Sequence, residues 1–488
     1  METSILIFLP LVAGLISFLL PDNRAKQFAF AASLAEFAYS LVLLLKFNPQ
    51  DTLAYATSVP WVKSMGISFS VGMDGISILL VLLTTFLIPL IILSSFRKTF
   101  ANSNYFYGLI LIMQAALVGV FVARDAFLFY VFWELALIPI YFIALIWGGE
   151  NRKKITFKFF VYTLAGSLLM LLAIIYLYLQ TPNGSFDIQH FYAIGSSLSS
   201  TDQALVFFAF FLAFAIKMPI FPFHTWQPDT YTVTPVQGTM LLSGIMLKMG
   251  IYGVIRWILP LVPKAAQTYG TLVIVLSVIG IIYASVIAIK QKDFKRLIAY
   301  VSIAHVGLIA AGIFTMGEES LQGGIIQMLS HGINVVGLFF IIDVLFDRTK
   351  TLELTSLGGI RNVAPFFTVA FIILLFSSIA LPFTGGFPGE FLLFVGIFQY
   401  NPWIAAVAGV SIILGAVYML SSFQKIMLGE TNQLTSGFAD LFTSEKLVLI
   451  PIIILIFWMG IYPDTFLEIS EPAVKALIKG TGTSLSLK

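Results

Sequence analysis

The chain has 488 residues, of which 59% are hydrophobic and only 10% are charged, and its mean hydropathy is +0.97. Soluble globular domains carry about 25% charged residues because their surface must be wetted, so this composition excludes a soluble fold and indicates a membrane protein. The absence of cysteine excludes disulfides, thioether-linked haem, thiolate zinc sites and cysteine-ligated iron–sulfur clusters within the chain. A net charge of +3, without a basic run interleaved with aromatic residues, gives no indication of nucleic-acid binding.

Long apolar stretches predict an all-α polytopic membrane protein. Since about 20 apolar residues cross roughly 30 Å of hydrocarbon, the chain accommodates about 14 transmembrane helices. In chain order the predicted spans are 3–20, 27–47, 74–95, 104–122, 126–147, 156–179, 203–222, 235–258, 268–289, 296–315, 321–344, 364–398, 402–424 and 444–462. The first span lacks the basic flank and cleavage site of a secretory signal, so we expect it to be retained. The segment 364–398 is too long for one straight helix, and we expect it to be broken inside the membrane.

The distribution of basic residues predicts the orientation of these spans. Most of the 27 Lys and Arg residues fall in alternate connections, on one side of the bundle. Because Lys and Arg are retained on the cytoplasmic side, an even number of spans places both termini on the other side. The connections are short apart from 48–72, 181–202 and 346–363, so no soluble domain is expected.

Four charged residues lie inside otherwise apolar stretches, namely Glu134, Lys217, Lys248 and Glu390. A charge at the bilayer centre costs at least about 2.5 to 3.5 kcal/mol on insertion scales, so each is a candidate functional group. A lysine near a helix end can instead extend to the interface, which is the alternative for the two lysines, whereas a glutamate is too short. Since buried charges need partners, we predict that Glu134 pairs with Lys217.

Proline and glycine residues beside two of these charges predict broken helices. Those that follow Lys217 are Pro219 and Pro222, and those that precede Glu390 are Pro382, Gly385, Gly386 and Pro388. Because proline removes helix hydrogen bonds, we expect one half-helix to end near Lys217 and another to begin near Glu390. The helix dipole would favour the charge at each of these ends. Breaks in spans seven and twelve, five spans apart, indicate two halves of opposite orientation, as in transporters built from inverted repeats.

Two of the four histidines fall inside predicted spans. His305 lies in the tenth span and His331 in the eleventh, and imidazole titrates near neutral pH, which suits proton transfer. The alternative is that each is a neutral imidazole that ties helices together. His190 and His224 are expected at the interface or in loops, and no metal site is expected. Glu36 and Asp343 are weaker candidates, expected to face a partner or the interface.

Four segments resemble the antiporter-like membrane subunits of respiratory complex I. They are FYVFWELALIPIY at 129–141, KMPIFPFHTW at 217–226, LLSGIMLKMGIYG at 241–253 and LPFTGGFPGEF at 381–391. The resemblance extends over nearly all of the chain. Glu390 stands where sister subunits typically carry a lysine, which distinguishes one member of that group from the others.

The resemblance implies an organisation and a role for each charge. It implies three helices in 1–100, a first five-helix repeat (spans four to eight) in 101–260, an inverted second repeat (spans nine to thirteen) in 261–426, and a last helix with a tail in 427–488. The equivalents of Glu134 and Lys217 form an intramembrane pair and that of Lys248 is the central relay. The equivalents of His305, His331 and Glu390 continue the proton path to the exit.

The function implied by the resemblance is proton translocation in the membrane arm of an NADH-quinone oxidoreductase in the bacterial inner membrane. The expected partners are lipids and the other membrane-arm subunits, including sister antiporter-like subunits. FMN, iron–sulfur clusters and a quinone would belong to partner subunits, in agreement with the absence of cysteine. The alternatives are a subunit of a multisubunit cation/proton antiporter, an inactive scaffold, and a lipid-modifying enzyme that uses His305 or His331. Co-purification with redox subunits would distinguish the first of these from an oxidoreductase.

Overall fold

The computed structural model describes residues 1–182 and 184–481. Within these ranges the helices are α1 (Glu2–Leu19), α2 (Asp22–Lys46), α3 (Gly75–Ser94), α4 (Ser103–Val122), α5 (Ala126–Leu135), α6 (Leu137–Trp147), α7 (Arg152–Gln180), α8 (Ile188–Gly195), α9 (Ser200–Lys217), α10 (Gln227–Val233), α11 (Val236–Leu241), α12 (Leu247–Gly253), α13 (Pro263–Lys290), α14 (Phe294–Ile313), α15 (Glu318–Thr349), α16 (Pro365–Ser378), α17 (Gly386–Tyr400), α18 (Pro402–Met427), α19 (Thr443–Ile461) and α20 (Asp464–Thr481). Two π-helical turns, Leu242–Met246 and Val254–Ile258, flank α12. Short 3₁₀ turns occupy Lys63–Met65, Leu354–Ser356 and Ile360–Asn362.

Within the described residues, 13 segments are long and apolar enough to cross a membrane. Two of them are composite, since Ala126–Trp147 contains α5 and α6, and Val236–Ile258 contains α11, α12 and both π-helical turns. The segment predicted as the twelfth span contains two shorter helices, α16 and α17. These findings confirm the prediction of an all-α polytopic membrane protein.

The longest helix, α15, lies at the centre of the bundle. It contacts α3, α11, α14, α16, α17, α19 and α20, and its most apolar stretch is wholly buried within the chain. The composite span Val236–Ile258 is enclosed in the same way, whereas α1, α2 and α18 leave most of their apolar residues on the outside. The two most enclosed spans are those that carry Lys248 and His331, as expected for ionisable groups in a membrane bundle.

A β-hairpin occupies most of what the sequence presents as a long connection at 48–72. Its strands, β1 (Ala54–Val62) and β2 (Ile67–Met73), pair antiparallel. Gly66 turns the chain with a φ of +68°, and a Cβ atom there would lie 2.0 Å from the Gly184 carbonyl oxygen, so only glycine fits. Asp125 accepts a hydrogen bond from the Ser68 N–H (3.0 Å) and also caps α5. The hairpin is therefore tied to the helix that carries Glu134.

Candidate functional site

Lys217 is the last residue of α9. Two backbone carbonyl groups just before this helix end accept hydrogen bonds from residues that follow the helix. The Ile220 N–H donates to the Ala215 carbonyl (2.9 Å), and Trp226 Nε1 donates to the Ile216 carbonyl (2.8 Å). The predicted helix breakers Pro219 and Pro222 both lie between α9 and α10. The negative end of the α9 dipole thus lies beside a buried ammonium group, since Lys217 is only 2% exposed.

Aromatic rings surround the Lys217 ammonium group. Its Nζ lies 5.2 Å from the centroid of the Trp133 ring. Trp133 packs on Phe214 (5.3 Å between centroids) and Phe129 (5.7 Å), and Trp257 extends the cluster (4.9 Å from Phe129). A cation is attracted to the face of a tryptophan ring, so Trp133 takes the place of a hydrogen-bonding partner. In the described part of the chain no side-chain hydrogen bond reaches Lys217.

Glu134 lies near Lys217 without touching it. The carboxylate interacts with the Lys217 charge electrostatically, but no ion pair within 4.0 Å joins the two among the described residues. Glu134 Oε1 is buried and has no hydrogen-bond partner. The residue precedes a break in its span, because α5 ends at Leu135 and α6 begins at Leu137. The two charges are thus neighbours separated by more than contact distance.

Lys248 is fully buried and is held by two hydrogen bonds. Its Nζ donates to the Ser243 carbonyl (2.7 Å) and lies 2.8 Å from His331 Nδ1. The other ring nitrogen, His331 Nε2, lies 3.1 Å from the Ser302 hydroxyl. Ser243 belongs to a π-helical turn, a distortion that is frequent at functional sites. One hydrogen-bonded chain therefore joins α12, α15 and α14.

This chain of bonds is compatible with two arrangements of its protons. If Lys248 is an ammonium group, His331 accepts at Nδ1 and donates its Nε2–H to Ser302. If Lys248 is a neutral amine, it accepts from Nδ1–H while Nε2 accepts from the Ser302 hydroxyl. The heavy atoms occupy the same positions in both cases, so a proton can be exchanged without a rearrangement of the helices.

His305 and Glu390 extend the network towards α17. The rings of His305 and His331 lie 5.7 Å apart, and His305 Nε2 lies 4.0 Å from Glu390 Oε1. Gln327 Nε2 donates to the same carboxylate oxygen (3.3 Å). A Cβ atom at Gly389 would lie 2.8 Å from Gln327 Cβ, so glycine permits the close approach of α17 to α15 that sets this contact.

A small cavity lies beside the gap between His305 and Glu390. Its volume is about 20 Å³, and its polar lining also includes Ser378 and Tyr418. A water molecule needs roughly 10–15 Å³ of such space and two or more polar partners. The cavity therefore has room for a water that bridges the imidazole and the carboxylate.

The structure corrects the expected position of Glu390 relative to its helix. Of the predicted breakers, Pro382 and Gly385 lie between α16 and α17, and Gly386 and Pro388 lie in the first turn of α17. The helix begins at Gly386, so Glu390 lies in the second turn. Because the dipole acts mainly within the first turn, its contribution at Glu390 is small.

Two buried carboxylates that were expected to face a partner or the interface are enclosed by the chain itself. Glu36 is 0% exposed, both of its oxygens lack a hydrogen-bond partner, and Gln114 is its neighbour. Asp343 pairs with Lys98 and accepts from Gln237 Nε2 (3.1 Å). The sequence signal for both residues is an acidic side chain within an apolar stretch. The partners of these side chains depend on packing between segments that are distant in the sequence.

The remaining histidines lie outside this network. His190 is exposed on α8 and lies 2.9 Å from the Ser185 hydroxyl. His224 lies between α9 and α10 and packs on Phe221 and Tyr283. Across the described residues, no group of three or more His, Asp or Glu side chains is arranged to hold a metal ion.

Comparison with known families defines the class of protein. Residues 5–120 match the family described as NADH-ubiquinone oxidoreductase chain 4, amino terminus. Residues 123–415 match the transmembrane family of NADH:quinone oxidoreductases and Mrp antiporters. The chain therefore belongs to the antiporter-like membrane subunits of this family, which confirms the resemblance inferred from its four sequence segments.

Comparison with individual proteins gives more specific similarities. It is 39% identical to NADH-quinone oxidoreductase subunit M of Rickettsia typhi, over 97% of this chain and 98% of the relative. It is also similar to a chain of respiratory complex I from Thermus thermophilus, with a TM-score of 0.92 and 32% identity, covering 99% of this chain and 100% of the other. A chain of the Mrp complex from Dietzia sp. shares the fold (TM-score 0.85) at 20% identity, covering 99% of this chain and 52% of the other.

Proposed function

We propose that the chain moves protons across the membrane as a membrane-arm subunit of an NADH-quinone oxidoreductase. The observation that carries this proposal is the enclosed network in which Lys248 and His331 share a hydrogen bond of 2.8 Å. A buried lysine without a carboxylate partner is energetically costly, and a role in proton exchange accounts for its presence in the span. The names of the similar oxidoreductase chains support the same conclusion.

The proposed path runs from the aromatic region to α17. A signal from a neighbouring subunit changes the separation of Glu134 and Lys217, which alters how readily the Lys217 ammonium group gives up its proton. The proton passes to Lys248, and then to His331 along the existing hydrogen bond. His305 and the adjacent water-sized cavity carry it to Glu390, from which it leaves the bundle.

The proposal includes the assembly and its location. Electron transfer from NADH through FMN and iron–sulfur clusters to a quinone takes place in partner subunits, and this chain sits beside sister antiporter-like subunits. The membrane is the bacterial inner membrane, with both termini on the non-cytoplasmic side. A cation/proton antiporter is the second candidate, and the 20% identity to the Mrp chain supports only a shared fold.

A variant at Lys248 tests the proposal in the assembled oxidoreductase reconstituted in vesicles. Lys248→Met retains an unbranched side chain, one heavy atom shorter, but removes the exchangeable proton and both hydrogen bonds. We expect proton transfer through this chain to fall by roughly 10²-fold, the lower end of what one acid–base group contributes. The measurement is the number of protons moved per NADH oxidised.

Lys264→Met is the matched control, because Lys264 is exposed at the start of α13. NADH oxidation by an artificial acceptor verifies that both variants assemble with their redox subunits. If Lys248→Met moves as many protons per NADH as Lys264→Met, the relay through Lys248 does not exist.

A further inference from the structure

A large cavity lies at the end of the bundle where α3 begins. Its volume is about 750 Å³. One side is formed by Arg124, which joins α4 to α5, by Tyr192 of α8, and by Arg256 of the second π-helical turn. Residues 473–480 of α20 form an apolar wall on the other side. None of the residues of the proposed proton path lines this cavity.

The cavity contains two guanidinium groups and a single carboxylate. Arg256 forms an ion pair with Asp74, whose other oxygen accepts from the N–H groups of Ile76 (3.1 Å) and Ser77 (3.0 Å). In the part of the chain that the structure describes, the Arg124 side chain has neither a hydrogen bond nor an ion pair. Among the described residues, no other Asp, Glu, Lys or Arg lines the cavity, so its lining carries a net charge of +1.

Asp74 remains ionised in this setting. Burial alone would raise the pKa of its carboxyl group, but the charge of Arg256 and the Ser77 N–H outweigh burial, and the pKa lies below its ordinary value. Arg124 acts in the same direction, which shows that its charge is close to the pair. Both oxygens of the Asp74 carboxylate are thus occupied, one by Arg256 and the other by backbone N–H groups. The guanidinium group of Arg124 forms no ion pair with it.

A buried donor also lacks a partner here. Arg256 is only 7% exposed, and its Nε–H forms no hydrogen bond. The Tyr192 hydroxyl donates to the Arg256 carbonyl (2.7 Å), which holds this part of the backbone in place. A buried guanidinium N–H without an acceptor costs free energy, so an acceptor from outside the chain would stabilise the site.

We propose that this cavity binds a phosphate group, carried by the headgroup of an anionic lipid or present as free phosphate. Two guanidinium groups present forked N–H donors that match phosphate oxygens, and one negative charge balances the cavity. The apolar wall of α20 suits the glycerol and first methylene groups of a lipid.

Photoreactive phosphatidylglycerol, added to the delipidated assembled complex, tests this site. We expect cross-links on peptides from α8 and α20. Arg124→Gln should reduce them about tenfold, as the loss of a charge-assisted contact to phosphate predicts. The control is Lys264→Gln, which removes a positive charge from an exposed residue near the same end of the bundle but outside the cavity lining. This variant should leave the yield of cross-links unchanged.

Competition in the unaltered complex identifies the source of the phosphate, and it decides the matter even if Arg124→Gln does not assemble. Unlabelled phosphatidylglycerol should suppress the cross-links and diacylglycerol should not. If inorganic phosphate suppresses them equally well, free phosphate is the ligand, and if it does not, the lipid is. Equal suppression by diacylglycerol, equal labelling of both variants, or a carboxylate of a neighbouring subunit found in the cavity would overturn the proposal.

Discussion

The two lysines of the candidate path are buried to the same extent but held in different ways. The Lys217 ammonium group has no hydrogen bond among the described residues and lies over the Trp133 ring, with Glu134 beyond contact distance. Lys248 is fixed by the Ser243 carbonyl and by His331. The first region (Glu134, Lys217 and the aromatic cluster) depends on packing, whereas the second region (Lys248 to Glu390) is built around the hydrogen bonds of Lys248 and His331.

This difference assigns different tasks to the two regions. The hydrogen-bonded chain from Lys248 through His331 to Ser302 can pass a proton without movement of heavy atoms, so this part of the second region is suited to conduction. In the first region a small shift of one helix would change the separation of two unpaired charges, and in a medium of low polarity that separation strongly affects their energy. We infer that the first region controls proton transfer and that the second carries it out.

The largest expected effect is at Lys217. Lys217→Ala removes the cation over Trp133 and should abolish proton pumping coupled to NADH oxidation, a loss on the order of 10²-fold through this chain. Lys217→Arg should fail as well, because a guanidinium group keeps its proton. Proton uptake by vesicles that contain the assembled complex measures both. Lys264→Ala is the control, and an unaltered ratio of protons to electrons in Lys217→Ala would refute a role for the first region.

A smaller effect is expected at the end of the second region. Glu390→Gln keeps the shape of the side chain and an oxygen that accepts from Gln327, but it removes the proton-binding carboxylate. The water-sized cavity lets other groups substitute in part, so we expect proton transfer to fall about tenfold rather than to vanish. Glu150→Gln makes the same change at an exposed position. Equal rates in these two variants would remove Glu390 from the path.

The sequence predicts the fold and the identity of the charged residues well, because both depend on local composition. The length of each apolar stretch gives the spans, and a lysine or glutamate inside such a stretch is visible without tertiary information. The β-hairpin at Ala54–Met73 was not predicted. A strand signal is nevertheless present in β2, where the apolar residues Ile67, Phe69 and Val71 alternate with serine.

The contacts between charges could not be predicted, because they depend on which helices meet. Glu134 and Lys217 were predicted to pair, and their charges interact, but Trp133, the neighbour of Glu134 in the chain, is the side chain over which the ammonium group lies. The bond between Lys248 and His331 joins residues 83 positions apart. The sequence pattern shows that such a charged group lies within an apolar span. Only the packing of the helices shows which side chains it contacts.

The third expected effect is at Trp133, where the two regions can be told apart most sharply. Trp133→Leu leaves both charges of the first region in place but removes the ring over Lys217. A cation–π contact contributes about 0.5 to 2 kcal/mol, which corresponds to a change of roughly 2- to 30-fold in proton transfer. The hydrogen bonds of the second region are untouched, so the change reports on the first region alone.

Trp257→Leu provides the matched control for this variant. Trp257 belongs to the same aromatic cluster, through Phe129, but it forms no cation–π contact with Lys217 among the described residues. Both substitutions remove a buried ring and should lower thermal stability by similar amounts. Only Trp133→Leu should change the number of protons moved per NADH oxidised. If both variants lower that number equally, the aromatic cluster acts through packing, and the assignment of control to the contact between Lys217 and Trp133 is wrong.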